Sequence, residues 1–408
     1  MNNSPLELLA ERYDNKVLYD GDGNPSIFVK RNKVKSNFFD ASLPDHTHPA
    51  FIVNGTEDDY ELYGKYKASE LKPNGTLYSL PNMPPRVTLG HDPFRTRMNS
   101  FGGNVTGMTI ADHGLLLLEA HKYGYVPKGN NSYGVDYRDG SRYELNKAVT
   151  VGTKRVFRGW EYECLIAHTT SAELLPSETP THWKKGKHIG GEPVKEQYKA
   201  DNAYNGYNTL TGSGPSSWYL NNDVGDMADP QGNCTEQVYG FRLVNLEIQI
   251  IPDNNAADPA CDTTANSAAW KAILPHQSDD GYDLVEPGTA GTVHYAWMNG
   301  KVTLTARTLD DEEFDGQQRN TPFKDMAVDS ATMPYVPYIL KELGLAPIAG
   351  TTVQGNFYIQ MTKDERVGRR SGSCNNTSYA GMAYLHCNAP RSHAYAYYGG
   401  RPRSRPET

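Results

Sequence analysis

The chain alternates short apolar runs with turn-forming residues, and few stretches repeat apolar residues at the spacing of a helix. Runs rich in β-branched and aromatic residues, bounded by Gly, Pro, Asn or Asp, are typical of strands. Five such runs are predicted as strands: residues 26–30, 50–53, 76–80, 242–251 and 357–361. A helix bundle or coiled coil is excluded, because either needs sustained apolar repeats at helical spacing.

Three segments carry the end signals of helices. The strongest covers residues 111–123, where Thr109 and Asp112 stand at the spacing of a capping box and a glycine follows the apolar run. A short helix is predicted within residues 4–14, which begin Ser-Pro-Leu-Glu, another capping box with proline at the first helical position. A third is predicted at residues 335–343, again followed by glycine.

The clearest hairpin signal is the dipeptide Asn299-Gly300. It separates two β-rich arms, residues 292–298 and 301–307, and favours a type I′ turn. Residues 173–233 are dense in Pro, Gly, Ser and Asn, so only a few short strands fit there. Together these patterns predict an α+β fold with short strands, about two helices, long loops and an inserted β-hairpin region.

Composition then limits the class of protein. The chain has 408 residues, among them 38 Gly, 26 Pro and 27 Tyr, and its hydrophobic fraction of 38% is too high for a disordered chain. The net charge of −8 argues against a nucleic-acid binder, which carries a basic stripe. No apolar run reaches the roughly 18–20 residues that span a bilayer, and the N-terminus lacks a signal-peptide pattern. We therefore expect a soluble protein made in the cytoplasm, with no nucleic-acid partner and no membrane insertion.

Cysteine and histidine spacing predicts neither a disulfide framework nor a metal site. The five cysteines form no Cys-x-x-Cys pair, so we expect most of them to be free thiols. His46 and His48 are spaced to share one face of a strand, but no third ligand accompanies them. The run Asp20-Gly-Asp-Gly-Asn24 begins like a calcium loop, yet Pro25 stands where that loop needs glycine, and we interpret it as a turn.

Residues 371–400 differ in composition from the rest of the chain. Five Tyr, four Ser, four Gly and three Asn make up sixteen of these thirty residues, and Arg391 is the only charged one. This mixture is typical of an antibody paratope, where tyrosine supplies stiff contact area and small polar residues supply adaptable hydrogen bonds. The alternative is a tyrosine-rich surface patch or a packed C-terminal subdomain, although an exposed aromatic cluster usually marks an interaction site.

Ten positions in this segment share a coding property. Each can be reached from an asparagine codon by changing only adenines, and they alternate with constant-looking residues such as Met382 and Leu385. The ten are predicted to bind ligand: Ser371, Ser373, Thr377, Ser378, Tyr379, Tyr384, His386, His393, Tyr395 and Tyr397. We expect Met382 and Leu385 to face the core, and the tyrosines and His386 among the ten to face solvent.

The order of the constant-looking residues carries a resemblance. Residues 370–385 read Arg-Ser-Gly-Ser-Cys-Asn-Asn-Thr-Ser-Tyr-Ala-Gly-Met-Ala-Tyr-Leu, followed by Arg-Ser at 391–392 and Gly-Gly-Arg at 399–401. This resembles the repeat of the variable proteins of diversity-generating retroelements, Arg-Gly-Gly-x-Trp…Ala-Gly-x-x-x-Leu…Arg-Ser…Gly-Phe-Arg. Similar stretches extend upstream, so that the resemblance covers residues 26–403: 48–55, 108–112, 127–134, 210–215, 241–244 and 247–254.

The resemblance implies a C-type-lectin fold, in the variant shared with formylglycine-generating enzymes. It implies an N-terminal arm or attachment segment at residues 1–45 and a lectin-like domain at 46–408. Within that domain we expect an insertion at about 252–345 and a variable ligand-binding region at about 366–403.

The resemblance also implies a binding function and no enzymatic activity. Such proteins present variable side chains to a ligand, and phage examples choose the host receptor. We expect a host cell-surface protein or glycan as partner, a location on a phage tail or cell surface, and a homo-oligomer, a trimer in the case of a tail fibre. A fixed structural virion or assembly protein is the first alternative, and a formylglycine-generating-type oxidase is the second.

The chain departs from the family pattern in its core motif. The usual Gly-Asn-Val-Trp-Glu-Trp is Gly-Asn-Cys-Thr-Glu-Gln at residues 232–237, so both tryptophans are absent. Some relatives with this fold bind calcium near the Gly-Asn motif, which would place the ion at Asn233 and Glu236; no other cofactor is implied. The oxidase needs a reactive cysteine pair close in sequence, whereas Cys374 and Cys387 are thirteen residues apart.

Overall fold

The computed structural model describes residues 4–194 and 208–406. In this part of the chain there are four α-helices: α1 Pro5–Glu11, α2 His91–Asn99, α3 Ile110–Tyr123 and α4 Tyr338–Glu342. The predicted capping boxes at Ser4 and Thr109 are both formed, and α3 ends at Gly124 with a φ of +64°. Three helices were thus predicted from their end signals, whereas α2, which has no side-chain cap, was not.

Short strands dominate the remainder of the described chain, which confirms the mixed α+β class. The first thirteen are β1 Asn15–Tyr19, β2 Pro25–Asn32, β3 Ile52–Val53, β4 Thr56–Glu57, β5 Tyr60–Gly64, β6 Ala68–Glu70, β7 Leu77–Ser79, β8 Val105–Gly107, β9 Ala148–Val149, β10 Lys154–Phe157, β11 Trp160–Cys164, β12 His168–Thr169 and β13 Trp183–His188. The others are β14 Thr235–Val244, β15 Glu247–Ile250, β16 Lys271–Pro275, β17 Tyr282–Val285, β18 His294–Met298, β19 Lys301–Thr305, β20 Gln318–Pro322, β21 Ala327–Val328, β22 Asn356–Gln360, β23 Arg366–Arg370, β24 Leu385–Cys387, β25 Tyr398–Gly399 and β26 Pro402–Ser404.

Single 3-10 turns fill several connections. They are Ser36–Phe38, Pro49–Phe51, Ala172–Leu174, Ser216–Trp218, Leu220–Asn222, Asn255–Ala257, Asp311–Glu313, Phe323–Asp325 and Thr377–Tyr379. The predicted strand at residues 50–53 is therefore wrong in its first half, where the His48 side chain accepts a hydrogen bond from the Ala50 amide and stabilises a turn.

One antiparallel sheet joins the two ends of the chain. Its strand order is β1-β2-β5-β26-β8, so that the C-terminal strand β26 lies between β5 and β8. Strands β1 and β2 belong to the segment predicted as an N-terminal arm, residues 1–45, and β2 pairs with β5 along its length. Residues 15–32 are thus part of this sheet, and the predicted boundary at residue 45 does not separate them from the rest.

The largest sheet has twelve strands and contains β16 to β21, the strands of the predicted insertion. Its main order is β20-β22-β24-β23-β14-β15-β18-β19-β21; β16 and β17 extend it beside β15, and β25 pairs with β14. The predicted hairpin at Asn299-Gly300 is confirmed, with positive φ at both turn residues as a type I′ turn requires. The single strand predicted at 242–251 is instead two antiparallel strands, because Asn245 and Leu246 both adopt positive φ and reverse the chain.

Helix α3 packs within the main hydrophobic core. Residues Ile110–Leu118 are buried on every side rather than along one face, and they share the core with the inner faces of β14, β15, β22 and β24 and with α4. A helix that is buried on every side belongs in a core, and its one buried carboxylate, Asp112, is paired there with Arg403.

A buried ionic cluster joins the two larger sheets. Glu236 on β14 accepts hydrogen bonds from Lys67 Nζ at 2.8 Å and from Arg401 Nη2 at 3.0 Å, and all three side chains are almost fully buried. Arg401 also donates to four main-chain carbonyls, including that of Gly64 on β5. Because these charges are paired and hydrogen-bonded, they can lie in the interior without a large penalty.

The small strands β9–β13 surround a separate core of Tyr143, Phe157, Tyr162 and Trp183. Of these, only β13 lies within residues 173–233, where a few short strands were predicted. The segment 195–207, inside the predicted loop-rich stretch 173–233, lies outside the described residues.

Candidate ligand-binding face

The predicted variable region, residues 366–403, crosses the large sheet and ends in the smaller one. It contains β23, β24, β25 and the start of β26, joined by the 3-10 turn Thr377–Tyr379 and a long loop after β24. The Arg391 guanidinium anchors this loop through both carboxylate oxygens of Glu365, at 2.9 and 3.0 Å, and through Asp92 at 2.6 Å. A rigid sheet and a bidentate ion pair therefore support the loops that carry the predicted contact residues.

Alternation along β22, β24 and β23 separates a core face from an outer face. Directly opposed residues point to the same side of a sheet, and neighbours along a strand point to opposite sides. The opposed residues on the outer face form one row across five strands: Asn320, Tyr358, His386, Arg369 and Gln237. On the core side, Leu385 is fully buried, and Met382 nearby is 8% exposed, so the predicted inward orientation of both is confirmed.

The six aromatic residues among the ten predicted positions belong to one continuous series of ring contacts. Two further tyrosines, Tyr358 and Tyr398, link them. We call this series the aromatic chain: Tyr379, Tyr358, Tyr384, His386, Tyr398, Tyr397, Tyr395 and His393. Neighbouring ring centroids are 5.1–6.3 Å apart, and the Tyr395 and Tyr397 rings are nearly parallel, with an interplanar angle of 7°. These are favourable separations for aromatic pairs.

The two ends of the aromatic chain reach solvent. Tyr379 is 50% exposed and Tyr395 is 44% exposed, whereas His386, His393 and Tyr397 are half-buried. Thr377 and Ser378, beside Tyr379, are also exposed. The structure thus brings seven of the ten predicted residues to one accessible surface.

Tyr384 does not face solvent, and the prediction for it is wrong. It lies on the outer side of the sheet next to His386, but only 3% of it is exposed, because the Tyr358 ring and the loop that carries Asn376 cover it. Burial raises the pKa of its hydroxyl well above the usual value. Tyr384 is therefore a buried member of the aromatic chain.

Ser371 and Ser373 are also buried, each with 2% exposure. Ser371 Oγ accepts a hydrogen bond from Lys67 Nζ at 2.9 Å and donates to the Pro230 carbonyl at 3.0 Å, so it belongs to the ionic cluster. Its φ of +82° lies in the region that favours glycine, and glycine stands at this position of the repeat that the sequence resembles. Ser373 Oγ donates to the side chains of Asn375 and Asn376, and these bonds shape the turn before Thr377.

Open grooves adjoin both ends of the aromatic chain. One, of about 530 Å³, is lined by Tyr379 and Ser378 together with Tyr137, Lys324 and Gln354. The other, of about 420 Å³, lies between residues 70–73 and 83–88. It adjoins the aromatic chain because the Thr88 amide donates to the Tyr395 carbonyl at 3.0 Å. Residues far from the variable region therefore extend the accessible surface.

A buried cation, Arg369, lies next to the aromatic chain. The Arg369 guanidinium lies 4.1 Å from the centre of the Tyr398 ring and is fully buried. Burial and the charge of Arg369 together lower the pKa of His386 to about 3, so His386 is neutral at physiological pH. Sequence reasoning did not identify Arg369 or Tyr358, because only strand pairing places them beside the predicted residues. It also passed over Tyr398, although that residue directly follows Tyr397 in the sequence.

The residues proposed for calcium do not fit that ion. Asn233 Oδ1 already accepts hydrogen bonds from the Thr209 amide and from Asn130 Nδ2, and Glu236 is paired with two cations. In the described part of the chain no group of three or more His, Cys, Asp or Glu side chains is arranged to hold a metal ion. The Asp20 carboxylate caps the amides of Asp22 and Asn24, which confirms a turn there.

All five cysteines are free thiols, and only Cys261 is not fully buried. Burial raises the pKa of Cys234 and of Cys387 to about 12 and raises that of Cys374 as well. Because the thiolate is the reactive form, these cysteines are poor nucleophiles in the folded protein.

Comparison with known proteins adds no assignment. No model of a protein family matches the chain, and no curated protein matches it either. Among the helices of residues 4–194 and 208–406, none has the length and apolar character to cross a bilayer.

Proposed function

We propose that this protein binds a ligand on a host cell surface through the aromatic chain and its exposed neighbours, as the variable proteins of diversity-generating retroelements do. The observation that carries the proposal is the convergence of the predicted positions. Six aromatic residues, predicted from composition, codon property and resemblance, belong to one series of ring contacts that Tyr358 and Tyr398 complete. Exposed tyrosines with small polar neighbours are the composition of binding surfaces.

The exposed members can vary because they do not support the fold. Substitutions of exposed residues usually change stability by less than about 0.5 kcal/mol, whereas core substitutions cost several. Thr377, Ser378, Tyr379 and Tyr395 are exposed, while the sheet below them is held by Leu385 and by the ion pairs of Arg391. We infer that diversification acts on the seven accessible positions and that Ser371, Ser373 and Tyr384 are constrained by burial.

The same proposal includes the C-type-lectin fold and a phage tail or cell-surface location, both of which rest on the resemblance. The α+β architecture and the support of variable loops by a sheet are compatible with that fold. Oligomerisation, as in a trimeric tail fibre, belongs to the proposal in the same way. The oxidase alternative is disfavoured because the thiols of Cys234, Cys374 and Cys387 are buried and protonated at neutral pH.

Sequencing of the DNA that adjoins the gene tests the proposal. We expect a near-copy of the codons for residues 366–403, beside a reverse transcriptase, that differs only where the copy has adenine. The codons of Gly381 and Leu385 serve as internal controls and should be identical in both copies, because a Cβ at Gly381 would overlap the Gln354 carbonyl and Leu385 is in the core. Absence of any copy would refute diversification and would favour a fixed interface in a structural virion protein.

A further inference from the structure

Three large aliphatic side chains are exposed together at one end of the small sheet β10-β11-β13. Val151 is 66% exposed, Leu165 is 41% exposed and Ile166 is 49% exposed. Two loops carry these residues, and main-chain pairing holds the loops side by side, since the Gly152 amide donates to the Cys164 carbonyl at 2.8 Å and β9 pairs with β12. We call Val151, Leu165 and Ile166 the apolar tip.

The apolar tip does not fill the core of the small strands. Its three residues belong to no buried hydrophobic cluster in the described part of the chain. The tip lies at the end of the sheet where Cys164 pairs with Trp183. The chain continues towards Val194 from the opposite end, where Trp160 pairs with His188. Single exposed aliphatic residues are common on proteins, but adjoining ones usually mark an interaction surface.

The segments that form and border the apolar tip are basic. Residues 145–154, 164–172 and 179–188 contain no Asp or Glu. They contain five lysines, all of them exposed: Lys147, Lys154, Lys184, Lys185 and Lys187. The whole chain, in contrast, has a net charge of −8. An aliphatic surface with a lysine border is therefore a local feature of these strands.

The carboxylates of this sheet lie between cations. Glu163 is half-buried, and the register places Lys154 opposite it on one side and Lys184 on the other. Lys154 also contacts Glu161, with Nζ 3.1 Å from Oε1. Because residues 141–188 carry eight Lys or Arg against five Glu, this part of an acidic chain keeps a positive balance of charge.

We propose that the apolar tip and its lysine border adsorb to the surface of an anionic phospholipid bilayer. The aliphatic side chains enter the boundary between headgroups and acyl chains, and the lysines remain at the headgroup level beside the lipid phosphates. Such adsorption involves side chains at the surface of the bilayer and no segment that crosses it. This contact is separate from the aromatic chain and does not rest on the proposed ligand binding.

The chemistry of this surface favours a bilayer over a protein partner. Protein interfaces are enriched in Tyr, Trp and Arg and depleted in Lys, whereas the border of the apolar tip is rich in lysine. A stable protein interface also buries about 800 Å² on each partner, far more than three partly exposed side chains supply. A bilayer needs no matching surface, because lipids rearrange around the side chains, and anionic headgroups complement the charge of the lysines.

The test is co-sedimentation of the full chain with vesicles of phosphatidylcholine and phosphatidylglycerol in equal amounts, and with vesicles of phosphatidylcholine alone. We expect binding to the anionic vesicles to be at least about tenfold stronger, because each lysine close to an anionic surface contributes about fivefold. Binding should weaken as sodium chloride is raised from about 0.1 M to about 1 M, since the Debye length falls from about 10 Å to about 3 Å. Both comparisons use the unmodified protein.

Substitutions of the aliphatic residues then assign the binding to the apolar tip. Val151→Ser combined with Ile166→Ser should weaken binding to the anionic vesicles by about tenfold or more, because two aliphatic side chains no longer leave water. The matched control is Val224→Ser combined with Val328→Ser, two valines that are 44% and 39% exposed elsewhere in the fold. The control should bind like the parent. All four positions are exposed, so the fold should be retained.

Substitutions of lysines test the electrostatic part in the same way. Lys154→Gln combined with Lys184→Gln should weaken binding to the anionic vesicles by about tenfold or more. Lys16→Gln combined with Lys301→Gln removes the same charge from exposed positions on β1 and β19 and should have a much smaller effect.

Several results would overturn the inference. They are no binding to the anionic vesicles, equal binding to both kinds of vesicle, and unchanged binding by the variant at Val151 and Ile166. Sedimentation velocity without vesicles should give the same oligomeric state for that variant and for the parent. A smaller assembly for the variant would show that the apolar tip joins copies of this chain, and would overturn the inference as well.

Discussion

Replacement by alanine should cost stability at Tyr384 and ligand affinity at Tyr395. Both are tyrosines of the variable region and both contact other rings, but Tyr384 is 3% exposed and Tyr395 is 44% exposed. The first replacement should lower the free energy of unfolding, whereas the second should lower affinity for the ligand and leave the fold nearly unchanged. The difference follows from burial alone.

The magnitude comes from the buried area. A tyrosine side chain buries about 150–250 Å², which at about 25 cal/mol per Å² corresponds to about 4–6 kcal/mol. Measured losses for aromatic-to-alanine changes in cores are about 3–5 kcal/mol, so we expect about 4 kcal/mol for Tyr384→Ala. Tyr395→Ala removes a nearly parallel contact with Tyr397 and exposed surface, for which about 1 kcal/mol is expected.

Equilibrium unfolding in urea measures both values. Tyr384→Phe is the matched control, because it keeps the ring and removes only the hydroxyl, and it should lose much less stability than Tyr384→Ala. A loss for Tyr395→Ala as large as that for Tyr384→Ala would refute the reasoning, because the loop after β24 would then belong to the core. A loss below about 1 kcal/mol for Tyr384→Ala would refute the inferred constraint on that position.

Two other predictions concern the buried charges and thiols. Glu236→Gln leaves the cations of Lys67 and Arg401 without a carboxylate and should lower the free energy of unfolding by about 3–5 kcal/mol. Burial opposes ionisation of Glu236, but Arg401 and Lys67 lower its pKa to about 2 from the usual 4.5. The ionised Glu236 therefore contributes its full stabilisation of the folded protein above pH 4.5, and this contribution is lost as the pH falls towards 2. Denaturation curves across that range should therefore have a shallower pH dependence for the variant, and equal slopes would count against the ion pairs. Thiol labelling of the native protein should modify Cys261 alone, because the other four cysteines are buried. All five should react after denaturation, and Cys261→Ala should abolish labelling of the native protein. Rapid labelling of a second thiol in the native protein would contradict the burial of the others.

Much of the aromatic chain could be predicted from sequence because its residues stand out in composition and share one codon property. That pattern located the aromatic residues of the face, including Tyr379 and Tyr395, and the inward residues Met382 and Leu385. It could not distinguish an exposed position from a covered one. Tyr384 shares the codon property of Tyr395, yet the Tyr358 ring, from a strand about twenty-five residues earlier, lies over it.

The sequence by itself determined the elements that depend on neighbouring residues. The capping boxes at Ser4 and Thr109 and the type I′ turn at Asn299-Gly300 each involve hydrogen bonds or backbone angles within four residues, so short patterns suffice to predict them. The mixed α+β class follows from the same local patterns.

Only the tertiary structure decided which distant segments meet. It placed β1 and β2 in one sheet with the C-terminal strand β26, buried Ser371 beside Lys67, and set Arg369 opposite His386 without an acidic partner. Strand pairing across hundreds of residues depends on the whole core, and a residue's exposure depends on what the rest of the chain lays over it. Local sequence therefore predicts which side chains are candidates for the site. Only the packing of the whole chain determines how far each of them is buried and which charges surround it.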